Sequence, residues 1–148
     1  MLDECITSCP EELWVGPQPE YPYWQVVYHA LFYAHLYLQA SEATFAPWAK
    51  HRGAYHRLGA EPAAPVPDAA PGYTQTEMLE YLAFCRDEVK QRLAETDFAA
   101  PSGFSWLPFD KFELQIYTIR HLQLHAGELG ARLFDRGIET RWIGAGNP

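Results

Sequence analysis

The chain has 148 residues, 48% hydrophobic and 15% aromatic, which suits one domain with one sizeable core and excludes a disordered chain. Nineteen acidic and eleven basic side chains give a formal charge of −8, which argues against nonspecific nucleic-acid binding, since covering phosphates needs a basic surface. Met1-Leu2-Asp3-Glu4 is acidic with no apolar signal region after it, and no apolar run could span a bilayer, so a soluble, cytoplasmic protein without membrane partners is expected.

Residues 1–9 read as a short helix, too short to stand alone, that Pro10 ends. The three cysteines, Cys5, Cys9 and Cys85, are odd in number and argue against a disulfide framework. Residues 11–20 contain Gly16, Pro17 and Pro19 and read as a loop. Pro22 suits the first turn of a helix over 21–40, whose apolar side chains (Trp24, Val26, Val27, Leu31, Phe32, Leu36, Leu38) occupy nearly every face. Such a helix is largely buried, or shared between a bundle core and a subunit contact. His29 lies within it, and a polar ring there needs a partner.

Residues 41–73 form a long connection. Its second half is too rich in proline for helix or strand and reads as a crossover or a lid. The first half, 45–58, has room for a helical turn and carries Trp48, Lys50, His51, Arg52, His56 and Arg57. It reads as a solvated basic patch, with substrate contact as the alternative. Thr74-Gln75-Thr76-Glu77 is a capping box, followed by the near-heptad stripe Met78, Leu82, Cys85, Val89, Leu93. After a loop over 99–108, Asp110-Lys111-Phe112-Glu113 repeats the capping logic for a last helix that runs to about Arg136, where Gly137 ends it. Trp142 reads as a packing anchor in the tail.

Three long helices, one short helix and one long crossover describe an all-α four-helix bundle, a single domain over 1–148. The crossover lets the second and third helices run parallel, and the short 99–108 link makes the fourth antiparallel to both. His121 and His125 stand one turn apart on the last helix, about 6 Å along its axis, and can share one metal ion. Two histidines on a hydrated helix face are the competing account. His29 sits about 12 Å from the start of its helix and His125 about 16 Å from the end of its own. In antiparallel neighbours these heights are similar, so the three rings could meet. Three imidazoles with an open fourth position describe a catalytic zinc site. Tyr117, one turn before His121, could donate to a bound oxyanion. Glu128, three residues after His125, could be a fourth ligand or a general base, and Tyr33 could line the cavity. For these three, packing or surface solvation is the alternative. Arg120 is read as structural, paired with Glu77, Glu80 or Asp87.

The segments Tyr21-Pro22-Tyr23-Trp24-Gln25-Val26-Val27-Tyr28-His29, Tyr81-Leu82-Ala83-Phe84-Cys85-Arg86 and Ile119-Arg120-His121-Leu122-Gln123-Leu124-His125-Ala126-Gly127-Glu128-Leu129 resemble the DinB-like superfamily of bacterial metalloproteins. The resemblance covers nearly the whole chain. It implies a four-helix bundle of up-down-down-up course in which His29, His121 and His125 bind a divalent metal ion, zinc or nickel. It also implies a metal-dependent enzyme, a thiol transferase or hydrolase that acts on a small electrophilic substrate with a low-molecular-weight thiol. The alternatives are a noncatalytic metal-binding or stress-response bundle and a metal-free helical dimer. Compared with the family pattern the first helix looks short, which would leave an apolar groove for a homodimer to cover, and Gly127, Gly130 and Ala131 would allow close helix approach. Residues 61–72 or 45–58 would cover the substrate.

Overall fold

The computed structural model describes residues 1–16, 21–58 and 72–141. Within them the regular structure is helical, apart from one isolated antiparallel bridge between Pro101 and Asp110. Trp142 and residues 61–71, expected to act as an anchor and a cover, lie outside the described residues.

Helix α1 covers Leu2–Thr7 and buries Cys5 and Ile6. A second short helix, α2 (Glu11–Trp14), stands where a loop was expected. Pro10 precedes it in an extended conformation, Glu11 and Glu12 sit at its positive end, and Leu13 and Trp14 are buried. The Trp14 indole N–H donates to the Tyr73 carbonyl at 2.7 Å. Burial of a large aromatic with a satisfied polar tip thus holds a helix too short to form by propensity.

Helix α3 runs over Tyr23–Leu36, with Pro22 as its N-cap rather than inside its first turn. Every α3 residue except His29 and Tyr33 is buried. The helix stops four residues earlier than expected. Leu38 and Gln39 donate to the carbonyls of His35 and Leu36, three residues back, which tightens the chain into turns. The buried Lys111 ammonium then takes the Gln39 and Ala40 carbonyls at 2.6 and 3.0 Å.

Helix α4, Gln75–Leu93, begins with both halves of the Thr74–Glu77 capping box. Met78, Leu82 and Cys85 are buried as the stripe requires, and Tyr81 joins them, while Val89 is exposed. Helix α5, Lys111–Phe134, forms only half of its expected box: Asp110 accepts from the Glu113 amide at 2.8 Å. Its exit is a left-handed glycine. Gly137 has φ +74, and Ile138 N–H donates to the Leu133 carbonyl at 3.0 Å.

Contacts between helices set their directions. Along α3, His29, Tyr33 and Tyr37 meet His125, His121 and Tyr117 in descending order, so α3 and α5 are antiparallel. Tyr28, Leu31 and His35 meet Tyr81, Cys85 and Glu88 in ascending order, so α3 and α4 are parallel. Asp3 pairs with Arg86 near the middle of α4, while Gln75 at its start reaches the Ile6 and Cys9 carbonyls, so α1 runs against α4. These directions agree with the expected ones.

The connection over 45–58 is a solvated patch only in part: Lys50 and Arg57 are exposed, but its aromatic and histidine side chains are turned inward. It holds a 3₁₀ turn, Gly53–His56, and packs on α3 and α4. Trp48 stacks on Tyr81 with centroids 4.5 Å apart, and His56 stacks on Phe32 at 4.1 Å. The Tyr28 hydroxyl meets His51 Nδ1 at 2.5 Å, and the Tyr73 hydroxyl donates to the Lys50 carbonyl at 2.7 Å. The polar tips of core tyrosines need partners, and this segment supplies them. Two of its three cations are engaged too: Arg52 lies over the Tyr73 ring and pairs with Glu77, and Lys50 pairs with Glu80, while Arg57 is exposed. Glu77, Glu80 and Asp87, the carboxylates expected near Arg120, therefore pair with Arg52, Lys50 and Lys90 instead. No described helix is long and apolar enough to cross a membrane.

Candidate metal centre

The antiparallel packing of α3 on α5 brings His29, His121 and His125 together. The Nε2 atoms of His29 and His121 are 2.9 Å apart, and those of His121 and His125 are 3.2 Å apart. One ligand atom from each ring lies within 4.8 Å of the others, a grouping that could hold a metal ion. His125 is buried, and His29 and His121 are partly so.

The outer edges of two rings are fixed. His29 Nδ1 is 2.7 Å from the His56 carbonyl, which can only accept, so that nitrogen carries the ring proton. His125 Nδ1 is 3.1 Å from the Glu128 carboxylate, which in turn takes Arg132 at 2.5 Å. Arg132 also donates to the Tyr21 carbonyl at 2.9 Å. In the neutral rings these contacts leave Nε2 of His29 and of His125 as bare lone pairs turned towards His121.

Burial keeps the His29 and His121 rings neutral. It pushes the pKa of His29 down to about 3 and that of His121 down to about 4, with the neighbouring histidines adding to both shifts. One His121 proton can serve one of the two facing lone pairs well, not both. His121 Nδ1 is buried without a partner in either tautomer. A dication at the centre satisfies all three Nε2 atoms at once, so the donor set fits a metal ion. Three nitrogens at 2.0–2.1 Å from a tetrahedral zinc ion stand about 3.3–3.4 Å apart, a few tenths wider than the pairs observed.

Beside His29 and His121 lies a cavity of about 310 Å³, lined by these two rings and by Tyr33, Tyr37, Trp106 and Tyr117. Tyr33 packs against His29 at 4.8 Å and His121 at 5.6 Å. Tyr117 borders the same space and meets Tyr37 edge-on at 5.8 Å. Burial raises the pKa of Tyr33 and pushes that of Tyr37 up to about 12, so both phenols stay protonated at neutral pH.

Tyr117 and Tyr33, singled out from sequence, both line this cavity. Glu128 is elsewhere: its carboxylate holds the Nδ1 edge of His125, opposite the shared Nε2 atoms. That is the position of a group that orients a ligand, as metal-binding histidines usually require. Glu113 caps α5, as expected. Sequence reasoning missed the His56 carbonyl, Arg132, Tyr37 and Trp106. Arg132 was legible as the i+4 partner of Glu128. Tyr37, one turn after Tyr33 at the end of α3, was legible in the same way, whereas the His56 carbonyl and Trp106 carry no local signal, because they reach the site through chain reversals. No protein-family model, curated protein or solved structure matches this chain.

Proposed function

We propose that this chain is a DinB-like four-helix bundle whose His29, His121 and His125 hold one divalent metal ion, zinc or nickel, for catalysis on a small molecule in the cytoplasm. The observation that carries this reading is the convergence of three Nε2 lone pairs beside a cavity. Three neutral imidazoles leave the full 2+ charge on an ion, which supplies Lewis acidity towards a carbonyl, water or thiol. The residues of the chain then divide the remaining work. The His56 carbonyl and Glu128 orient two ligands through their Nδ1 atoms. Tyr117 and Tyr33 offer hydroxyls to an oxygen of the substrate, and the aromatic walls limit water. This arrangement suits a thiol transferase or a hydrolase that meets a small electrophile, with a low-molecular-weight thiol as cosubstrate of the first. The second reading, a noncatalytic metal-binding bundle, lacks an evident fourth protein ligand, since Glu128 is committed to Nδ1 of His125 and to Arg132.

Metal content and circular dichroism, measured together on His121→Ala and the parent protein, test the site. The parent should retain about one equivalent of zinc or nickel after reconstitution, and the variant should lose it while its helices persist, because the core extends well beyond the site. A parent that takes up neither ion refutes the reading. Collapse of the helices in the variant marks a structural metal instead.

A further inference from the structure

The four residues that line the cavity beside His29 and His121 are the aromatics Tyr33, Tyr37, Trp106 and Tyr117. Trp106 comes from the connection between α4 and α5, packs tilted against Phe104 with ring centroids 5.5 Å apart, and leaves 48% of its surface exposed. Among the described residues, no lysine, arginine, aspartate or glutamate lines the space. Within that lining an occupant's charge meets its counter-charge at the histidine end; the Arg57 guanidinium acts on Tyr33 but is not among the lining residues. The volume lies at the small end of ligand pockets, enough for one ring with a short substituent.

We infer that this cavity binds a flat aromatic molecule with one anionic oxygen or sulfur donor, the donor turned to the three histidines and the ring held among Tyr33, Tyr37, Trp106 and Tyr117. The inference rests on the metal reading above and adds the class of substrate. Aromatic rings prefer edge-to-face or offset contacts at centroid distances of about 4.5–7 Å, and the walls already pair with one another in this range. Desolvation of a flat ring against such walls is favourable, whereas a second charge would find no counterion among the described lining residues. The exposed Trp106 face is the natural outer cover of a bound ring, and its removal leaves the histidine end untouched.

The probes are acetohydroxamate and benzohydroxamate, which share one metal-binding group and differ only in the ring. Each is titrated into the cobalt(II)-loaded full chain, followed by the cobalt absorption bands and by calorimetry, and each affinity is referred to that for free cobalt(II). The expected result is a preference for benzohydroxamate of about tenfold or more, roughly the effect of one well-packed ring. In Trp106→Ala the preference should fall at least threefold, with acetohydroxamate affinity unchanged. Equal binding of the two probes, binding of neither by a protein that holds cobalt, or an undiminished preference in Trp106→Ala would overturn the inference and leave the metal reading standing. Failure to hold cobalt refutes the metal reading and this inference with it.

Discussion

Glu128→Ala separates a supporting carboxylate from a ligand or a general base. The Glu128 side chain is one-third exposed, accepts from His125 Nδ1 at 3.1 Å and is tied to Arg132, itself largely buried. The substitution leaves the three Nε2 atoms in place but frees the His125 ring to turn and makes Nε2 less basic. Loss of such a partner typically costs 10- to 100-fold in metal affinity. Partial solvent access to Glu128 places the expected loss in the lower part of that range, about 10- to 30-fold, or about 1.4–2 kcal/mol. Rupture of the Glu128–Arg132 pair should cost at most about 1 kcal/mol of stability, because the pair is partly screened. Competition for zinc against a chromophoric chelator measures the affinity, and urea unfolding of the metal-free protein measures the stability. Glu128→Gln keeps an acceptor and should fall between the parent and Glu128→Ala. An affinity unchanged in Glu128→Ala would refute the positioning role. A loss as complete as that in His125→Ala would make Glu128 a ligand after all.

His35 is buried on α3 against Phe45, Phe84 and the Tyr81 hydroxyl, 3.9 Å from Glu88, and burial pushes its pKa down to about 4. The unfolded chain takes up this proton first, near pH 6.5, so the contribution of His35 is whole above that pH and is lost as pH falls towards 4. Between pH 7 and 4 the parent should lose about 3 kcal/mol more than His35→Gln, read from urea midpoints, and parallel pH profiles would contradict this. Leu129 is fully buried on α5, and Leu129→Ala should cost about 2–5 kcal/mol in the same assay. A cost below 1 kcal/mol would show that the α5 face is not packed as described. The homodimer expected from the sequence would cover an apolar groove beside the short first helix, where Leu2, Leu31, Ala34, Leu82, Val89 and Leu122 line a cavity. Light scattering at micromolar concentration should give twice the chain mass, and a monomer mass refutes the dimer.

The sequence by itself determined the local features. Thr74 with Glu77, Asp110 with Glu113 and Gly137 mark helix ends that depend only on neighbours in the chain. His121 and His125 share a face because 3.6 residues make a turn. The length of the crossover and the shortness of the 99–108 link allowed the helix directions to be argued, and with them the approach of His29. Tertiary structure decided the rest. The His56 carbonyl holds His29 only because the 45–58 segment folds back on α3, where buried tyrosine hydroxyls demand its polar groups. Trp14 found its partner 59 residues away, and so turned an expected loop into a helix. Lys111 ended α3 from the start of α5. Which edge of His125 Glu128 would take, and that Trp106 would wall the cavity, depended on how α5 is rotated and where a loop lands. Such choices are settled by packing and desolvation summed over distant residues, and no local spacing records them.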